Sequence, residues 1–165
     1  MRANEILETC LYVNDLDEAE RFYGEVLGLE FVSRQSNRHV FWKCGRRMLL
    51  LFDPREVREF GSGTPHHGCQ GTGHVAFAVP DAEIPAWRAH LERHGVEVER
   101  AVSWPQGGHS LYFRDPAGNS LELASPRIWG LDEQLTMNAA TGRSGNCTGW
   151  HVLAKFLGRT VPMVS

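Results

Sequence analysis

An internal repeat is the feature that most constrains how this chain can fold. The triplet Val-x-Asp at 13–15 recurs 66 positions later at 79–81, and Gly, an aliphatic residue and Glu at 28–30 recur 67 positions later at 95–97. Such self-similarity indicates two copies of one supersecondary unit, neither of which buries both faces of its own sheet. We therefore expect two similar modules that pack together.

Both copies predict the element order β-α-β-β-β. In the first copy, Asp15 is a suitable helix N-cap and Gly28 a suitable C-terminal stop for a segment whose apolar residues recur at helical spacing. In the second copy, Pro80 and Asp81 open the corresponding helix, which ends at Gly95. Strands are predicted at 5–13, 29–34, 39–43 and 48–52, and again at 73–79, 96–103, 109–114 and 119–124.

These elements divide the chain into four parts. Residues 1–53 form the first module, 54–72 a linker rich in Gly, Pro and His, 73–126 the second module, and 127–165 a C-terminal extension. The extension contains an apolar stretch at 150–157 that could form a short helix or strand. One interpretation is a peripheral extension, and the other is a lid or a dimer contact.

Composition excludes several classes of function. Seventeen Lys and Arg against twenty Asp and Glu give a net charge of −3, so a nucleic acid is not the expected partner. No apolar run approaches the roughly 20 residues of a membrane span, and the N-terminus lacks the pattern of a signal peptide. The four cysteines are widely separated, which predicts neither a zinc knuckle nor a disulfide framework. We expect a soluble, cytoplasmic protein that does not bind membranes.

Three polar residues occupy strand positions where apolar residues would be expected. Glu8 leads one face of the first strand, and the repeat places His74 at the corresponding position of the second module. Glu122 lies between two leucines on the last strand. One imidazole and two carboxylates suit a divalent ion such as Zn, Ni, Mn, Co or Fe(II). The alternative is that the carboxylates pair with arginines and the histidine only forms hydrogen bonds.

Three segments resemble the vicinal oxygen chelate superfamily, which includes glyoxalase I, extradiol dioxygenases, fosfomycin-resistance transferases and bleomycin-resistance proteins. They are LETCLYVNDLDEAERFYGEVLGLEF, GTGHVAFAV and LYFRDPAGNSLELASP, and the likeness covers roughly residues 5 to 126. The resemblance implies an α+β fold in which two βαβββ modules form a curved, incomplete mixed β-barrel. It also implies a metal ion in the cup of that barrel.

Carried over by position, the resemblance assigns metal ligation to Glu8, His74 and Glu122. The family commonly has His at the place of Glu8. Glyoxalase I has a further carboxylate on the last strand of its first module, and the turn register puts Leu49 there. Isomerisation of the methylglyoxal–glutathione adduct is therefore not the expected reaction, because the base for that proton transfer is absent from this position. One of the two carboxylates, Glu8 or Glu122, is then the candidate base.

Several side chains are expected to contact substrate. Ser110, Tyr112 and Arg114 share one face of the seventh strand, so Tyr112 is the expected hydrogen-bond donor and Arg114 a second one. His109, at the start of the same strand, is placed at the mouth of the cup.

The first module is also expected to contribute to the substrate site. Cys10 follows Glu8 on its face and is either a small packing residue or a redox-sensitive pocket residue. Trp42 is expected in the pocket wall and its neighbour Phe41 in the core. His66 and His67 in the linker either close over the cup or belong to a solvated loop.

The predicted function is a glyoxalase-like, metal-dependent enzyme with lyase, isomerase or dioxygenase chemistry on a small substrate that chelates the metal. Glu122 and Tyr112 are its candidate catalytic residues. The alternative is a metal-free, bleomycin-resistance-type protein that sequesters an antibiotic or metabolite. Because edge strands in this architecture need covering, we expect a homodimer.

Overall fold

The computed structural model describes residues 1–57 and 65–133, and the first module lies in the first of these ranges. Its strands are β1 (Glu8–Tyr12), β2 (Glu30–Gln35), β3 (His39–Cys44) and β4 (Arg47–Phe52). Helix α1 (Leu16–Arg21) follows β1 and continues as one π-helical segment, Phe22–Val26. The side chain of Asp15 accepts from the backbone N–H groups of Asp17 and Glu18, which confirms it as the N-cap.

The second module repeats this order. Its strands are β5 (His74–Ala78), β6 (Arg100–Ser103), β7 (His109–Arg114) and β8 (Ser120–Ala124). Helix α2 (Ile84–Arg93) is preceded by a 3₁₀ turn, Asp81–Glu83, and a second 3₁₀ turn, Pro126–Trp129, follows β8. The apolar stretch at 150–157 and most of the C-terminal extension lie outside the described residues.

The strands form two open, mixed sheets of four strands each. The first sheet has the order β1-β4-β3-β2 and the second the order β5-β8-β7-β6. In both, the first strand runs parallel to the last strand of its module and the remaining pairs are antiparallel. This confirms the predicted α+β architecture of two βαβββ units in an incomplete barrel. It also leaves β1 and β5 at sheet edges within the described part of the chain.

The strand predicted at 96–103 is shorter in the structure, where β6 begins at Arg100. The backbone N–H groups of His94, Gly95 and Val96 donate to carbonyls in the last turn of α2. Those donors are therefore not available to a sheet. The chain pairs with β7 only after leaving this helix cap.

The main hydrophobic core lies where one face of each sheet meets the helices. It contains residues of both modules, including Leu11, Tyr23, Leu91 and Phe113. The opposite face of each sheet is left open, and the candidate ligands lie on these two open faces. The open face of the first sheet carries a separate apolar cluster around Leu50 and Phe52.

Candidate functional site

The open face of the second sheet brings together His74, Tyr112 and Glu122. Strand β8 lies between β5 and β7, and Glu122 pairs in register with Ala76 on one side and Tyr112 on the other. His74 lies two residues before Ala76 and therefore on the same face. Its Nε2 atom is 3.4 Å from Oε2 of Glu122. The register of β5 with β8 makes the two side chains neighbours.

A backbone carbonyl orients the imidazole of His74. Its Nδ1 atom is 3.0 Å from the carbonyl oxygen of Ser120. Because a carbonyl only accepts, the neutral ring carries its proton on Nδ1 and directs the lone pair of Nε2 towards Glu122. A histidine held in this way is prepared to ligate a metal ion through Nε2.

Glu122 is the buried charged group of this face, with 6% of its surface exposed. Its Oε1 atom is buried and has no hydrogen-bond partner among the described residues. The distance of Oε2 to His74 exceeds that of a good N–H···O hydrogen bond. A carboxylate with an unsatisfied oxygen, facing the lone pair of an imidazole, fits a cation between the two groups.

Tyr112 is the third member of the group. Its ring stacks on that of His74 with 6.4 Å between centroids and an interplanar angle of 22°. Burial raises the pKa of the Tyr112 hydroxyl, and its contact with Glu122 raises the pKa further. The phenol is therefore protonated at neutral pH and serves as a hydrogen-bond donor.

Glu8 is not brought to this group within one chain. It lies on the open face of the first sheet, on β1, where it pairs in register with Met48 and is exposed to solvent. Across residues 1–57 and 65–133, no cluster of three or more His, Cys, Asp or Glu side chains is arranged to hold a metal ion. A single protomer therefore presents two of the three predicted ligands together and the third on its other sheet.

The open face of the first sheet is mostly apolar. Leu50, Phe52 and Val57 are buried there, with Cys10 and Tyr12 packed against them. Burial raises the pKa of the Cys10 thiol, and the charge of Glu8 raises the pKa further. Cys10 is thus protonated at neutral pH and packs as a small apolar side chain.

Aromatic and histidine rings also pack on this apolar face. The sequence analysis did not predict that these rings contact one another. His39 stacks on Phe41 with 3.9 Å between centroids. From the linker, His67 packs edge-on against Phe52, and its Nδ1 is 2.7 Å from the hydroxyl of Tyr12. The linker therefore reaches the open face of the first sheet, which is one of the two placements considered for His67.

The structure reverses the register predicted for β3. Trp42 is 2% exposed and lies in the main core, with its ring edge-on to Phe31, whereas Phe41 lies on the open face. The alternation of β3 agrees with the observed register, because the polar residues His39 and Lys43 share the face of Phe41 whereas Val40 and Cys44 share the buried face of Trp42. Trp42 is therefore placed away from His74 and Glu122.

The counterpart of Glu122 in the first module is also one residue further along than predicted. Cys10 pairs with Leu50 as Ala76 pairs with Glu122, and Ala76 is the repeat equivalent of Cys10. Leu50, rather than Leu49, therefore occupies the position of the second carboxylate in glyoxalase I. Leu49 points into the main core instead. The residue at the position of that carboxylate is therefore a leucine, as predicted, although it is a different leucine.

The two remaining candidates on β7 lie on opposite faces. Arg114 shares the face of Tyr112, and its Nε donates to Oε1 of Glu99 at 2.9 Å. His109 is on the other face, where its Nδ1 is 2.8 Å from Oδ1 of Asp81 at the start of the α2 region. The structure thus groups Arg114, but not His109, with the open face of the second sheet.

No helix in the described ranges is both long and apolar enough to cross a membrane.

Comparison with known proteins identifies the family. The model of the Glyoxalase/Bleomycin resistance protein/Dioxygenase superfamily matches residues 5–123. This chain belongs to that superfamily. Its two βαβββ modules and the polar open face of the second sheet agree with the membership.

Relatives within the superfamily differ in their activities. A crystal structure of lactoylglutathione lyase from Agrobacterium tumefaciens is 45% identical with a TM-score of 0.77, covering 79% of this chain and 100% of that one. The glutathione transferase FosA of Serratia marcescens is 33% identical over 117 residues, which is 68% of this chain and 74% of FosA. Catechol-2,3-dioxygenase of Bacillus subtilis is 27% identical over 131 residues, or 75% of this chain and 43% of the dioxygenase. The chain thus spans less than half the length of that dioxygenase.

Proposed function

We propose that this protein is a metal-dependent enzyme that acts on a small substrate with adjacent oxygen atoms. His74 and Glu122 would hold the divalent ion. The observation that carries this proposal is the buried carboxylate of Glu122, whose Oε1 has no hydrogen-bond partner among residues 1–57 and 65–133 and whose Oε2 is 3.4 Å from Nε2 of His74. Imidazole and carboxylate ligands together suit Zn, Mn, Co, Ni or Fe(II). When bound, such an ion supplies Lewis-acid polarisation of the substrate oxygens.

The protein's own groups have defined parts in this proposal. The Tyr112 hydroxyl donates a hydrogen bond to a substrate oxygen, since its proton is retained at neutral pH. Because Leu50 stands at the position of the second carboxylate of glyoxalase I, proton acceptance falls to Glu122 or Glu8. This favours a reaction other than isomerisation of a methylglyoxal–glutathione adduct.

The third ligand, Glu8, is proposed to come from a second copy of the chain. Strands β1 and β5 are both at sheet edges, and each begins with a candidate ligand on an open face. A homodimer that brings Glu8 of one protomer to the open face of the second sheet of the other completes a set of three ligands. It also gives the substrate one polar wall from the second sheet and one apolar wall from the first.

Metal analysis tests the function. Protein purified without added metal is compared with Glu122→Gln and with the control Glu25→Gln, whose carboxylate is exposed on the first module. We expect stoichiometric metal, or a rise in thermal stability on adding Zn, Mn, Ni, Co or Fe(II), for wild type and control but not for Glu122→Gln. If none of the metals binds wild type, the metal-free binding protein becomes the better interpretation.

Subunit complementation tests the shared site. Glu8→Ala and Glu122→Ala chains are each expected to bind metal poorly. After the two are unfolded, mixed and refolded, mixed dimers contain one intact site, with Glu8 from one chain and His74 and Glu122 from the other. Metal binding therefore returns only on mixing. A site built within one chain predicts no recovery, and a monomer at micromolar concentration in light scattering contradicts the dimer.

A further inference from the structure

The turn between β7 and β8, with the sequence Asp-Pro-Ala-Gly-Asn at 115–119, carries buried polar groups that the proposed chemistry does not use. Asp115 is 4% exposed and Asn119 is 1% exposed. Buried amides and carboxylates are costly unless their hydrogen bonds are formed, so the partners of these groups show what they stabilise.

The side chain of Asn119 joins three separate segments. Its Oδ1 accepts from the backbone N–H of Gly73 at 2.7 Å. Its Nδ2 donates to the carbonyl oxygen of Tyr12 at 3.0 Å and to Oδ2 of Asp115 at 2.8 Å. One amide therefore connects the start of β5, the end of β1 and the turn before β8.

The Gly73 contact lies directly beside the metal-ligand pair. Gly73 precedes His74, and Asn119 precedes Ser120, whose carbonyl orients the His74 ring. The backbone N–H of Ser120 donates in turn to the carbonyl of Gly73 at 2.9 Å. Gly73 thus donates to the Asn119 side chain and accepts from the Ser120 backbone. These two contacts align β5 with β8 at the point where His74 pairs with Ser120. This alignment sets the distance from His74 to Glu122.

The chain packs tightly around this contact. A Cβ atom added at Gly73 would lie 2.7 Å from Cδ2 of Leu11 and 3.4 Å from Oδ1 of Asn119. A side chain at this position would displace the end of the Leu11 side chain, so glycine lets the backbone at the start of β5 lie close to the first module.

Asp115 orients the Asn119 amide and links it to the first module. Its Oδ1 accepts from the backbone N–H of Asn119 at 2.7 Å. Its Oδ2 accepts from Nδ2 of Asn119 and from the hydroxyl of Tyr23, each at 2.8 Å. Tyr23 is fully buried, so the carboxylate, the amide and the phenol form one buried network between the modules.

We propose that Asn119 is a positioning residue for His74. Its amide holds β5 against β8 so that the His74 ring keeps its proton on Nδ1 and presents Nε2 towards Glu122. Tyr23, in the same network, contributes to the docking of the modules but not to this alignment. The metal-binding part of this proposal rests on the proposed function, whereas the orientation of the imidazole does not.

The experiment compares two positions of the network in the full-length chain. Asn119→Ala removes all three side-chain contacts, and Tyr23→Phe removes only the hydroxyl bond to Asp115. Zn²⁺ affinity is measured by chelator competition at a temperature where circular dichroism shows each variant folded. The tautomer of His74 is read in metal-free protein from long-range ¹H–¹⁵N NMR correlations.

We expect Asn119→Ala to bind Zn²⁺ about 10- to 100-fold more weakly, the usual range for loss of an outer-shell partner, and to show a mixed His74 tautomer. Tyr23→Phe is expected to be less stable but to retain wild-type affinity and the Nδ1–H tautomer. If the network has only a structural role, we expect both variants to change in Zn²⁺ affinity and in the His74 tautomer to a similar extent. Asn119→Ser, which is too short to reach Gly73, is the second variant if Asn119→Ala does not fold, and its expected changes are the same.

Two results would overturn the proposal. One is an Asn119 variant that is folded and keeps both wild-type Zn²⁺ affinity and the Nδ1–H tautomer. The other is Tyr23→Phe losing affinity as much as Asn119→Ala. If wild-type protein binds neither Zn²⁺ nor any of the other proposed ions (Mn, Ni, Co or Fe(II)), the proposed function fails, and the His74 tautomer alone then decides the role of Asn119.

Discussion

The two modules share one backbone plan, but their open faces have opposite chemistry. Where the second sheet carries Tyr112 and Glu122 on neighbouring strands, the first carries Phe41 and Leu50 in the same register. The leading position of the first strand is polar in both modules, as Glu8 and His74, and so is the position held by Lys43 in the first sheet and Arg114 in the second. The comparison shows that duplication preserved the strand pairing while the face residues diverged into one polar surface and one mostly apolar surface.

The largest expected effect comes from giving the first module the carboxylate of the second. Leu50→Glu places a charge in the apolar cluster around Phe52, and we expect it to lower the free energy of unfolding by roughly 3–5 kcal/mol at pH 7. Urea denaturation measures this loss. The loss shrinks at acidic pH because the new carboxyl is protonated there. Met48→Glu, at the more exposed end of the same face, is the control and should cost less.

The reverse exchange tests the second module. Glu122→Leu removes a buried carboxylate with an unpartnered oxygen, so the metal-free protein should gain about 1–3 kcal/mol in the free energy of unfolding. The same variant should lose any stabilisation by added Zn²⁺, as thermal unfolding with and without the ion can show. A metal-free Glu122→Leu protein that is less stable than wild type would mean that Glu122 already has adequate partners.

A smaller effect concerns the pH dependence of the first sheet. Burial lowers the pKa of His39 below its ordinary value of 6.5, and the charge of Arg38 lowers the pKa further. The unfolded chain therefore binds the proton more readily, so the free energy of unfolding falls as pH decreases below about 6.5. His39→Gln should flatten this region of a stability–pH curve measured by urea denaturation. An unchanged slope in His39→Gln would contradict this.

The smallest expected effect is at two equivalent surface ion pairs. Arg114 pairs with Glu99 in the second sheet, as Lys43 pairs with Glu30 in the first. Because these side chains are largely exposed, Arg114→Ala and Lys43→Ala should each leave the free energy of unfolding almost unchanged. Chemical denaturation of both variants checks the equivalence. A much larger loss for Arg114→Ala would show that its second contact, to the carbonyl of Gly118, matters for the turn.

Sequence reasoning succeeded where polarity marked a face. His74 and Glu122 stand among apolar neighbours on β5 and β8, so alternation indicated on which face of its strand each residue lies. It failed on β3 because it overlooked that His39 and Lys43 mark the face of Phe41, so Trp42 and Phe41 were exchanged. It also failed on β4, where both faces are apolar and the turn register gave Leu49 in place of Leu50. An uninterrupted apolar run identifies a buried strand without showing which residues point to which side.

The amino-acid sequence by itself determined the duplicated βαβββ order, the family resemblance and the polar residues on otherwise apolar strands. Those features depend on local periodicity and on the offset between repeats. The tertiary structure decided which of these residues meet. It placed His74 next to Glu122 through the pairing of β5 with β8, left Glu8 on the other sheet, and buried the Asn119 amide where both modules converge. Alternation specifies the face of a strand, whereas contact between strands depends on register and on hydrogen bonds from residues distant in the chain.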